Sequence, residues 1–385
     1  MEVLSADGHI DLFYIPEDIF RNAAPPSLRE RVPQMESPGC WSYEGNLLFK
    51  SVMQPPRSRV VDRMIGTGIF EQVGVRGASR PAEPHLRRAD QLRDGIEGDV
   101  IYGLLGVDGY MINDIDAFRF CLLTYWQWVA DFAKTIPGRF APLAPISGGD
   151  PTQAAEDVHQ IAELGLRGIE LRPRTACKPF WHDDWEPLWR AVDKTGLPVH
   201  FHSDISRLMN AYTVKPDEAN GTHYQKVMAA IVAATGKMAN AESLGTMILS
   251  GVLERHPGMK VVMAECDLSW IPHFLERMDY CVTEREHGTG LPLLPSQYWR
   301  RQCLATFQHD KLGVELIPHL GADNVMWGND YPHPDGVWPN SKTIIAEQSR
   351  GLTDEERQKV YFANCAKLYG LGELSAAATA GVAAE

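Results

Sequence analysis

Short apolar segments alternate with longer amphipathic segments along most of this chain. Apolar runs typical of strands lie at 3–10, 100–105, 140–146, 168–171, 197–202, 259–265, 302–307 and 325–328. Between them, apolar positions recur every three to four residues, as on one face of a helix. Strands that alternate with helices are typical of an α/β protein with a parallel sheet. About eight such units predict a (β/α)8 TIM barrel.

Turn and capping residues mark where the predicted helices begin and end. Asp150-Pro151 is typical of a helix start, and Gly165 and Gly196 follow the last apolar positions of two helices. The last helix begins with the capping box Thr353 to Glu356. A doubly wound sheet is the alternative fold, but it requires fewer strands or a glycine-rich phosphate loop, and the sequence has no such loop.

The predicted barrel includes two irregular regions and ends in a tail. We expect residues 1–372 to form a single domain. Residues 14–90 are rich in proline, glycine and arginine and are interpreted as an irregular cover, and residues 205–240 as a helical insertion after strand five. Residues 373–385 have low complexity and are expected to be disordered.

The composition of the chain limits which binding partners and which cellular compartment are expected. The net charge of −13 disfavours nucleic acid and anionic membranes, so a small or cofactor-linked substrate is expected. The start of the chain lacks the basic and apolar regions of a signal peptide, and no apolar run is long enough to span a bilayer. Seven cysteines occur without a CxxC pair, which favours reduced thiols. These features predict a cytoplasmic protein.

Residues able to bind a metal ion recur where the predicted strands end. In a TIM barrel the carboxyl ends of the strands meet around the active site. Imidazole and carboxylate groups are the usual ligands of divalent metals there. The candidate residues are Asp7 and His9 from strand one, His200 and His202 from strand five, Glu265 from strand six, and Asp330 with His333 after strand eight.

Two of these candidates have alternatives that the residues alone leave open. His202 is nearer the strand end and is predicted as a ligand, whereas His200 could be a ligand or could support one from behind. Glu265 ends an apolar strand, where it could bind metal, act as an acid or base, or pair with an arginine such as Arg172. Asp330 and His333 could also be parts of an ordinary proline-rich turn.

The order of several motifs resembles the amidohydrolase-related, decarboxylase-like branch of the metal-dependent amidohydrolase superfamily. The resemblance covers nearly the whole chain. The motifs are Ala6-Asp7-Gly8-His9, Gly196-Leu197-Pro198-Val199-His200-Phe201-His202, Gly251-Val252-Leu253-Glu254-Arg255-His256-Pro257, Trp270-Ile271-Pro272-His273-Phe274-Leu275-Glu276-Arg277 and Gly328-Asn329-Asp330-Tyr331-Pro332-His333. The resemblance implies a barrel with a divalent metal held by Asp7, His9, His202 and Asp330.

Two positions depart from the pattern of that family. Asp7 replaces the usual histidine or glutamate of strand one, and Glu265 replaces the histidine that many decarboxylases have after strand six. Both changes make the site richer in oxygen, which suits iron or manganese at least as well as zinc. The combination is similar to family members that activate dioxygen at a dinuclear iron or iron/manganese centre, several of them on substrates linked to coenzyme A.

Three functions therefore remain as hypotheses. The first is a monooxygenase with two iron ions, or iron and manganese, in which Asp330, Glu265 and His333 are catalytic and Glu265 and His333 help to hold the second metal. Arginines between Arg57 and Arg88 could contact a CoA-linked substrate, or could simply be solvated. The second is a decarboxylase or hydrolase with one zinc or manganese ion. The third is a non-catalytic subunit of a hetero-oligomer. A homo- or hetero-oligomer is expected.

Overall fold

The computed structural model describes residues 1–37, 39–49, 62, 64–70, 79–104, 112–203, 227, 230–231, 234–285 and 289–372. The strands in these ranges are β1 Leu4–Ser5, β2 His9–Ile10, β3 Gln34–Ser37, β4 Cys40–Tyr43, β5 Asn46–Phe49, β6 Gly98–Gly103, β7 Phe140–Pro142, β8 Ala144–Pro145, β9 Ile169–Glu170, β10 Val199–His202, β11 Val261–Ala264, β12 Cys303–Phe307 and β13 Val325–Trp327.

All strands except β3, β4 and β5 belong to one parallel ring. β1 and β2 both pair with β6, which pairs with β7, and β8 to β13 follow in sequence order. The ring closes where the Ala6 amide donates to the Trp327 carbonyl at 2.9 Å and Gly8 forms a parallel bridge with Tyr331. Counting β1 with β2 and β7 with β8 as interrupted strands, the ring has eight positions. The predicted TIM barrel is confirmed.

Helices follow most of the strands and pack around the ring. They are α1 Ile19–Ala23, α2 Pro84–Asp94, α3 Ile115–Thr135, α4 Pro151–Leu164, α5 Glu186–Thr195, α6 Asn240–Leu249, α7 Val252–Arg255, α8 Ile271–Glu284, α9 Pro295–Gln302, α10 Lys311–Glu315, α11 Ile317–Leu320, α12 Ser341–Gln348, α13 Asp354–Gln358 and α14 Asn364–Tyr369.

The predicted helix boundaries are marked by the expected groups. The Asp150 carboxylate accepts from two amides of α4, and Gly165 and Gly196 end α4 and α5 in the left-handed conformation. The capping box of Thr353 and Glu356 at α13 forms as predicted. None of the described helices is long and apolar enough to cross a membrane.

The barrel has separate inner and outer apolar layers. The inner layer is built from strand residues such as Val100, Val262 and Met326, and Tyr369 of α14 closes it from below. The outer layer lies between the strands and the helices and contains most of the large buried tryptophans. The inner layer is the floor on which a site at the opposite end of the ring rests.

The region 14–90 is only partly irregular, which corrects one prediction. β3, β4 and β5 form a three-stranded antiparallel sheet, and α1 and α2 lie on either side of it in sequence. Tyr43 pairs with Asn46, and Glu44 and Gly45 form the connecting turn with φ of 50° and 76°. That two-residue turn matches the twist of a hairpin. Its strands show no clear alternation of apolar and polar positions, so the sequence pattern gave no strand signal.

Other predictions for irregular regions fall largely outside the described ranges. Of the insertion predicted at 205–240, residues 205–226, 228–229 and 232–233 are not described, and the described residues 227, 230–231 and 234–240 are helical. The predicted tail at 373–385 also lies outside the described ranges.

Candidate metal centre

Acidic and histidine side chains lie close together at the end of the ring that is formed by the carboxyl termini of the strands. His9 lies on β2 with Asp7 just before it, and His202 is the last residue of β10. Asp330 and His333 follow β13. This is the end of a TIM barrel at which active sites form.

The backbone at Asp330 is bent to bring it against strand one. Asp330 has a φ of 54°, a left-handed conformation that costs energy for any residue except glycine. Its amide donates to the Asp7 carbonyl at 2.9 Å. Gly328 allows this approach, because a Cβ there would lie 2.4 Å from the Cβ of Asp7. The strained turn therefore serves to place Asp330 beside Asp7.

The ligand atoms form a continuous series around His9 Nε2. That atom lies 3.3 Å from Asp7 Oδ1 and 3.2 Å from Asp330 Oδ1. The series continues from Asp7 Oδ1 to His202 Nε2 at 3.3 Å, and from Asp330 Oδ1 to His333 Nδ1 at 2.9 Å. Ligands bound at about 2.0–2.1 Å to one ion lie about 3.0–3.4 Å apart. The spacing therefore fits atoms that share a metal.

Several of these buried atoms have no hydrogen-bond partner among the described residues. They are Asp7 Oδ2, His9 Nε2 and both carboxylate oxygens of Asp330. Asp330 is fully buried and Asp7 nearly so. Burying a carboxylate without satisfying its oxygens is costly, and a divalent cation is the partner that removes this cost. The residues present thus fit a metal ion.

The side chains also compensate one another electrically. Burial opposes charge on His9, but the carboxylates of Asp11, Asp330 and Asp7 raise its pKa well above the ordinary value. Burial and the neighbouring His9 act in the same direction on His333, yet Asp330 and Asp11 raise its pKa to about 10. Without a metal ion, protons on the two histidines offset the charge of the buried carboxylates, and a bound cation would take the place of these protons.

Asp11 belongs to this cluster although the sequence interpretation did not include it. Its Oδ2 lies 2.6 Å from His333 Nε2, and its Oδ1 lies 3.7 Å from His9 Nδ1. Burial opposes its ionisation, but His333 and His9 hold the pKa of Asp11 well below its usual range. Asp11 could have been predicted from the sequence, because Asp7, His9 and Asp11 occupy alternate positions of one extended segment and so share a face.

His200 does not reach the cluster, so of the two roles left open for it the geometry disfavours that of a ligand. Its Nδ1 lies 3.0 Å from the Ile169 carbonyl and its Nε2 lies 2.8 Å from the Tyr369 hydroxyl. Burial lowers its pKa to about 3, so the ring is neutral and both nitrogens are occupied. His200 shares the inward face with His202 but lies one layer deeper, where it joins β10 to α14.

Glu265 lies beside the series of ligand atoms rather than in it. Its Oε2 is 3.6 Å from His202 Nδ1, the nitrogen that faces away from Asp7, and it accepts a hydrogen bond from the Ser203 hydroxyl. Its Oε1 lies 3.5 Å from Lys237 Nζ. Glu265 has a φ of 49°, so it too is held in a strained turn. Arg172, suggested as a partner of Glu265, pairs with Glu170 at 3.0 Å.

Lys237 adds a positive charge at the rim of the site that sequence patterns did not indicate. Its Nζ donates to Gln308 Oε1 at 2.6 Å and lies 3.6 Å from Asp335 Oδ2. Burial opposes its charge, but Glu265 and other nearby carboxylates raise its pKa further above its ordinary value. Lys237 lies near the end of the predicted insertion 205–240, and nothing in the local sequence distinguishes it from a surface lysine.

Helix α2 supports the site from outside the ring with a buried polar face. Arg87 is fully buried, donates to the His9 carbonyl at 2.9 Å and pairs with the Asp99 carboxylate. Asp90 accepts from the Tyr331 hydroxyl at 2.9 Å, and Asp94 accepts from the Ser341 amide at 2.9 Å. The helix therefore connects the strand of His9 to the loop that carries Asp330.

The arginines between Arg57 and Arg88 were predicted as possible contacts for a CoA-linked substrate. Those that the structure describes form ion pairs within the protein. Arg80 pairs with Asp90, Arg87 with Asp99 and Arg88 with Glu97. Each guanidinium is thus directed to a carboxylate of the protein. The remaining arginines of that segment lie outside the described ranges.

Comparisons with known proteins agree with this arrangement of elements. Residues 106–371 match the family described as Amidohydrolase. An amidohydrolase from Mycobacterium avium subsp. paratuberculosis K-10 aligns with a TM-score of 0.71 at 20% identity, over 96% of this chain and 99% of that chain. The 5-carboxyvanillate decarboxylase LigW from Sphingomonas paucimobilis aligns with a TM-score of 0.65 at 20% identity, over 96% and 99% of the two chains.

A third similar structure was solved with a metal. It is a dihydroxybenzoic acid decarboxylase from Polaromonas sp. JS666 with bound manganese and the inhibitor 2-nitroresorcinol. It aligns with a TM-score of 0.60 at 15% identity, over 96% of this chain and 97% of that chain. At these identities the similarity establishes the fold.

Proposed function

The chain belongs to the amidohydrolase family, and from this premise we propose that it is a carboxy-lyase that depends on one divalent metal ion and acts on a small organic acid. The observation that carries the proposal is the series of ligand atoms around His9 Nε2. Decarboxylases are also prominent among the similar structures.

A single metal ion is the simplest occupant of this cluster. Two groups of three ligands can be drawn, one of Asp7, His9 and His202 and one of His9, Asp330 and His333. His9 belongs to both, and the same Nε2 atom faces Asp7 and Asp330. Because one imidazole nitrogen has one lone pair, the two groups describe one centre. Asp7, His9, His202 and Asp330 would hold the ion, with His333 completing the set.

The bound metal ion and the rim residues Lys237 and Glu265 would contribute to different steps of the reaction. The bound cation supplies Lewis-acid polarisation of a substrate oxygen. Lys237 lies near enough to Glu265 to hold a substrate carboxylate in place by charge. Loss of carbon dioxide leaves an electron pair on carbon that must take up a proton, and Glu265 is placed to hold or transfer that proton.

A monooxygenase with two iron ions is the second candidate. It is favoured by the number of carboxylates around the histidines, since Asp11 and Glu265 lie beside the series in addition to Asp7 and Asp330. Oxygen-rich sites suit iron and manganese. In that case Glu265 would bind the second ion, and the substrate could be a small organic molecule or one linked to coenzyme A.

Metal content and gas exchange separate these candidates. The protein is purified without oxygen, reconstituted with Mn²⁺ or Fe²⁺, and mixed with a panel of aromatic and aliphatic acids. We expect one ion per chain and release of carbon dioxide without oxygen uptake. Two iron ions per chain with substrate-dependent oxygen uptake would replace the first candidate by the second. A protein that binds metal but is inert until a partner protein is added would support the non-catalytic subunit.

The same premise extends to domain organisation. We propose that residues 1–372 act as one catalytic domain. Residues near both ends of this range contribute to the closure of the ring, and α14 closes the bottom of the inner layer. A fragment that lacks residues 1–10, or that ends before residue 333, would lack part of the proposed set of ligands.

A further inference from the structure

Asp11 lies behind two of the histidines that face the centre. It is 2% exposed, and its two oxygens lie 2.6 Å from His333 Nε2 and 3.7 Å from His9 Nδ1. The rings of His9 and His333 stack with centroids 3.9 Å apart and planes inclined by 23°. The Asp11 carboxylate thus lies against one nitrogen of each of two stacked imidazole rings.

The opposite nitrogens of these rings face the candidate ligand series. His9 Nε2 lies 3.2 Å from Asp330 Oδ1, and His333 Nδ1 lies 2.9 Å from the same oxygen. The two edges of each ring therefore have different partners. One edge meets Asp11 and the other meets the atoms that would surround a metal.

We propose that Asp11 is a positioning residue that fixes the orientation of His9 and His333 together, an inference that rests on the proposed metal-dependent function. A carboxylate that accepts the second N–H of a metal-binding imidazole fixes its tautomer and increases its basicity. Here one carboxylate acts on two rings, which arise from opposite ends of the sequence. Asp11 thereby links the loop after β13 to strand one through the histidines themselves.

The alternative is that Asp11 binds metal directly. Its oxygens lie against the ring nitrogens that face away from Asp330 and Asp7. An ion bound to Asp11 would therefore occupy a separate position from an ion at His9 Nε2. This difference makes the two roles distinguishable by counting ions.

The test measures Co²⁺ binding to the full chain by equilibrium dialysis, together with the visible absorption spectrum of the Co²⁺ form. The variants are Asp11→Ala and Asp11→Asn. The matched control is Asp157→Asn, which alters a carboxylate of α4 that is 1% exposed and pairs with Arg119 of α3 at 2.8 Å. The control reports the effect of disturbing a buried acidic side chain away from the centre.

For Asp11→Ala we expect the Kd for Co²⁺ to rise about 10- to 100-fold with an unchanged number of ions at saturation and a shifted spectrum. Asp11→Asn should fall between Asp11→Ala and the wild type, because its amide oxygen can still accept one hydrogen bond. Asp157→Asn should lower the melting temperature without changing the Kd or the spectrum.

Three results would overturn the inference. An unchanged Kd and spectrum in Asp11→Ala would assign Asp11 a purely structural role and leave the proposed function standing. Loss of one whole ion per chain at saturation would make Asp11 a ligand. Failure of the wild-type protein to bind Co²⁺, Mn²⁺ or Fe²⁺ would refute the proposed function and this inference with it.

Discussion

Asp330 shows how a residue that destabilises the polypeptide can be held where the proposed chemistry requires it. Its backbone has a φ of 54°, and its two oxygens have no hydrogen-bond partner among the described residues. Strain of this kind costs about 1–3 kcal/mol and persists where the surrounding structure enforces it. The contacts that enforce it here join Asp330 to Asp7, His9 and His333.

Asp330→Asn should abolish metal binding while the barrel remains folded. The amide keeps the size of the side chain but removes the charge that a hard cation requires. We expect metal affinity to fall by more than about 100-fold, beyond the loss typical of a residue that only supports a ligand. Metal analysis and a circular dichroism melting curve measure the two effects. Full metal occupancy in this variant would exclude Asp330 as a ligand.

Glu265→Gln distinguishes the roles suggested for Glu265. Since Glu265 faces the outer nitrogen of His202, we expect the metal count to stay at one per chain while turnover falls about 100- to 10,000-fold, as for loss of a proton-transfer group. A fall from two ions to one would instead support the dinuclear oxygenase. Survival of both metal content and turnover with a lower melting temperature would indicate a structural partner of Lys237.

Residue identities in the site were predictable where strand phase and strand end decide them. Asp7, His9, His202, Asp330 and His333 come together because each lies at or just after a strand end. His200 has the correct phase but lies two residues before the strand end, and its hydrogen bond with the Tyr369 hydroxyl of α14 is one that no local pattern reveals. Lys237 could not be predicted, because its position depends on how the segment after strand five folds back over the ring.

At the scale of elements, α2 is unusual in burying charge rather than apolar surface. Its buried residues are Arg87, Asp90, Gln91 and Asp94, which recur at helical spacing. Arg87 donates a hydrogen bond to the His9 carbonyl. Asp90 accepts one from the Tyr331 hydroxyl, and Asp94 accepts one from the Ser341 hydroxyl. Its three buried charged residues all have partners, which holds the helix and the site in one geometry, whereas the side-chain amide of Gln91 has no hydrogen-bond partner among the described residues.

Arg87→Met should destabilise the fold more than it affects the ligands. The substitution leaves Asp99, which is fully buried, without its cation and removes a donor to the His9 carbonyl. Removing one partner of a buried ion pair costs about 3–5 kcal/mol. Denaturant unfolding of the metal-free protein measures this loss. The double variant Arg87→Met/Asp99→Leu should recover much of it, and no recovery would mean that the contact with His9 dominates.

The elements themselves were largely predictable from the sequence. The eight strand positions and the main helices follow from apolar periodicity and from capping residues such as Asp150 and Thr353. The sheet of β3, β4 and β5 was missed because its strands are short and partly exposed. Prolines and arginines nearby made the region resemble a loop. Its hairpin turn at Glu44-Gly45 was the signal that could have indicated it.

For the whole molecule, metal removal should lower stability because the centre forms only in the folded state. A ligand present at 100 times its Kd stabilises the native state by about 2.7 kcal/mol. We therefore expect the melting temperature to fall when a chelator is added and to recover with excess Mn²⁺. The control is Asp330→Asn, whose melting temperature should not respond to chelator. A response equal to that of the wild type would place the stabilising ion elsewhere.

The closure of the ring between strand one and the end of β13 has a consequence for biosynthesis. The hydrogen bond from Ser5 to Asn329 joins residues 324 positions apart, and all the proposed ligands except His202 arise from the same two segments. During translation His9 and Asp7 emerge early, whereas Asp330 and His333 emerge near the end. Bringing them together requires closing a long loop, which is slow. The proposed ligand set can therefore assemble only after strand eight and His333 have left the ribosome, so full metal loading would report closure of the ring.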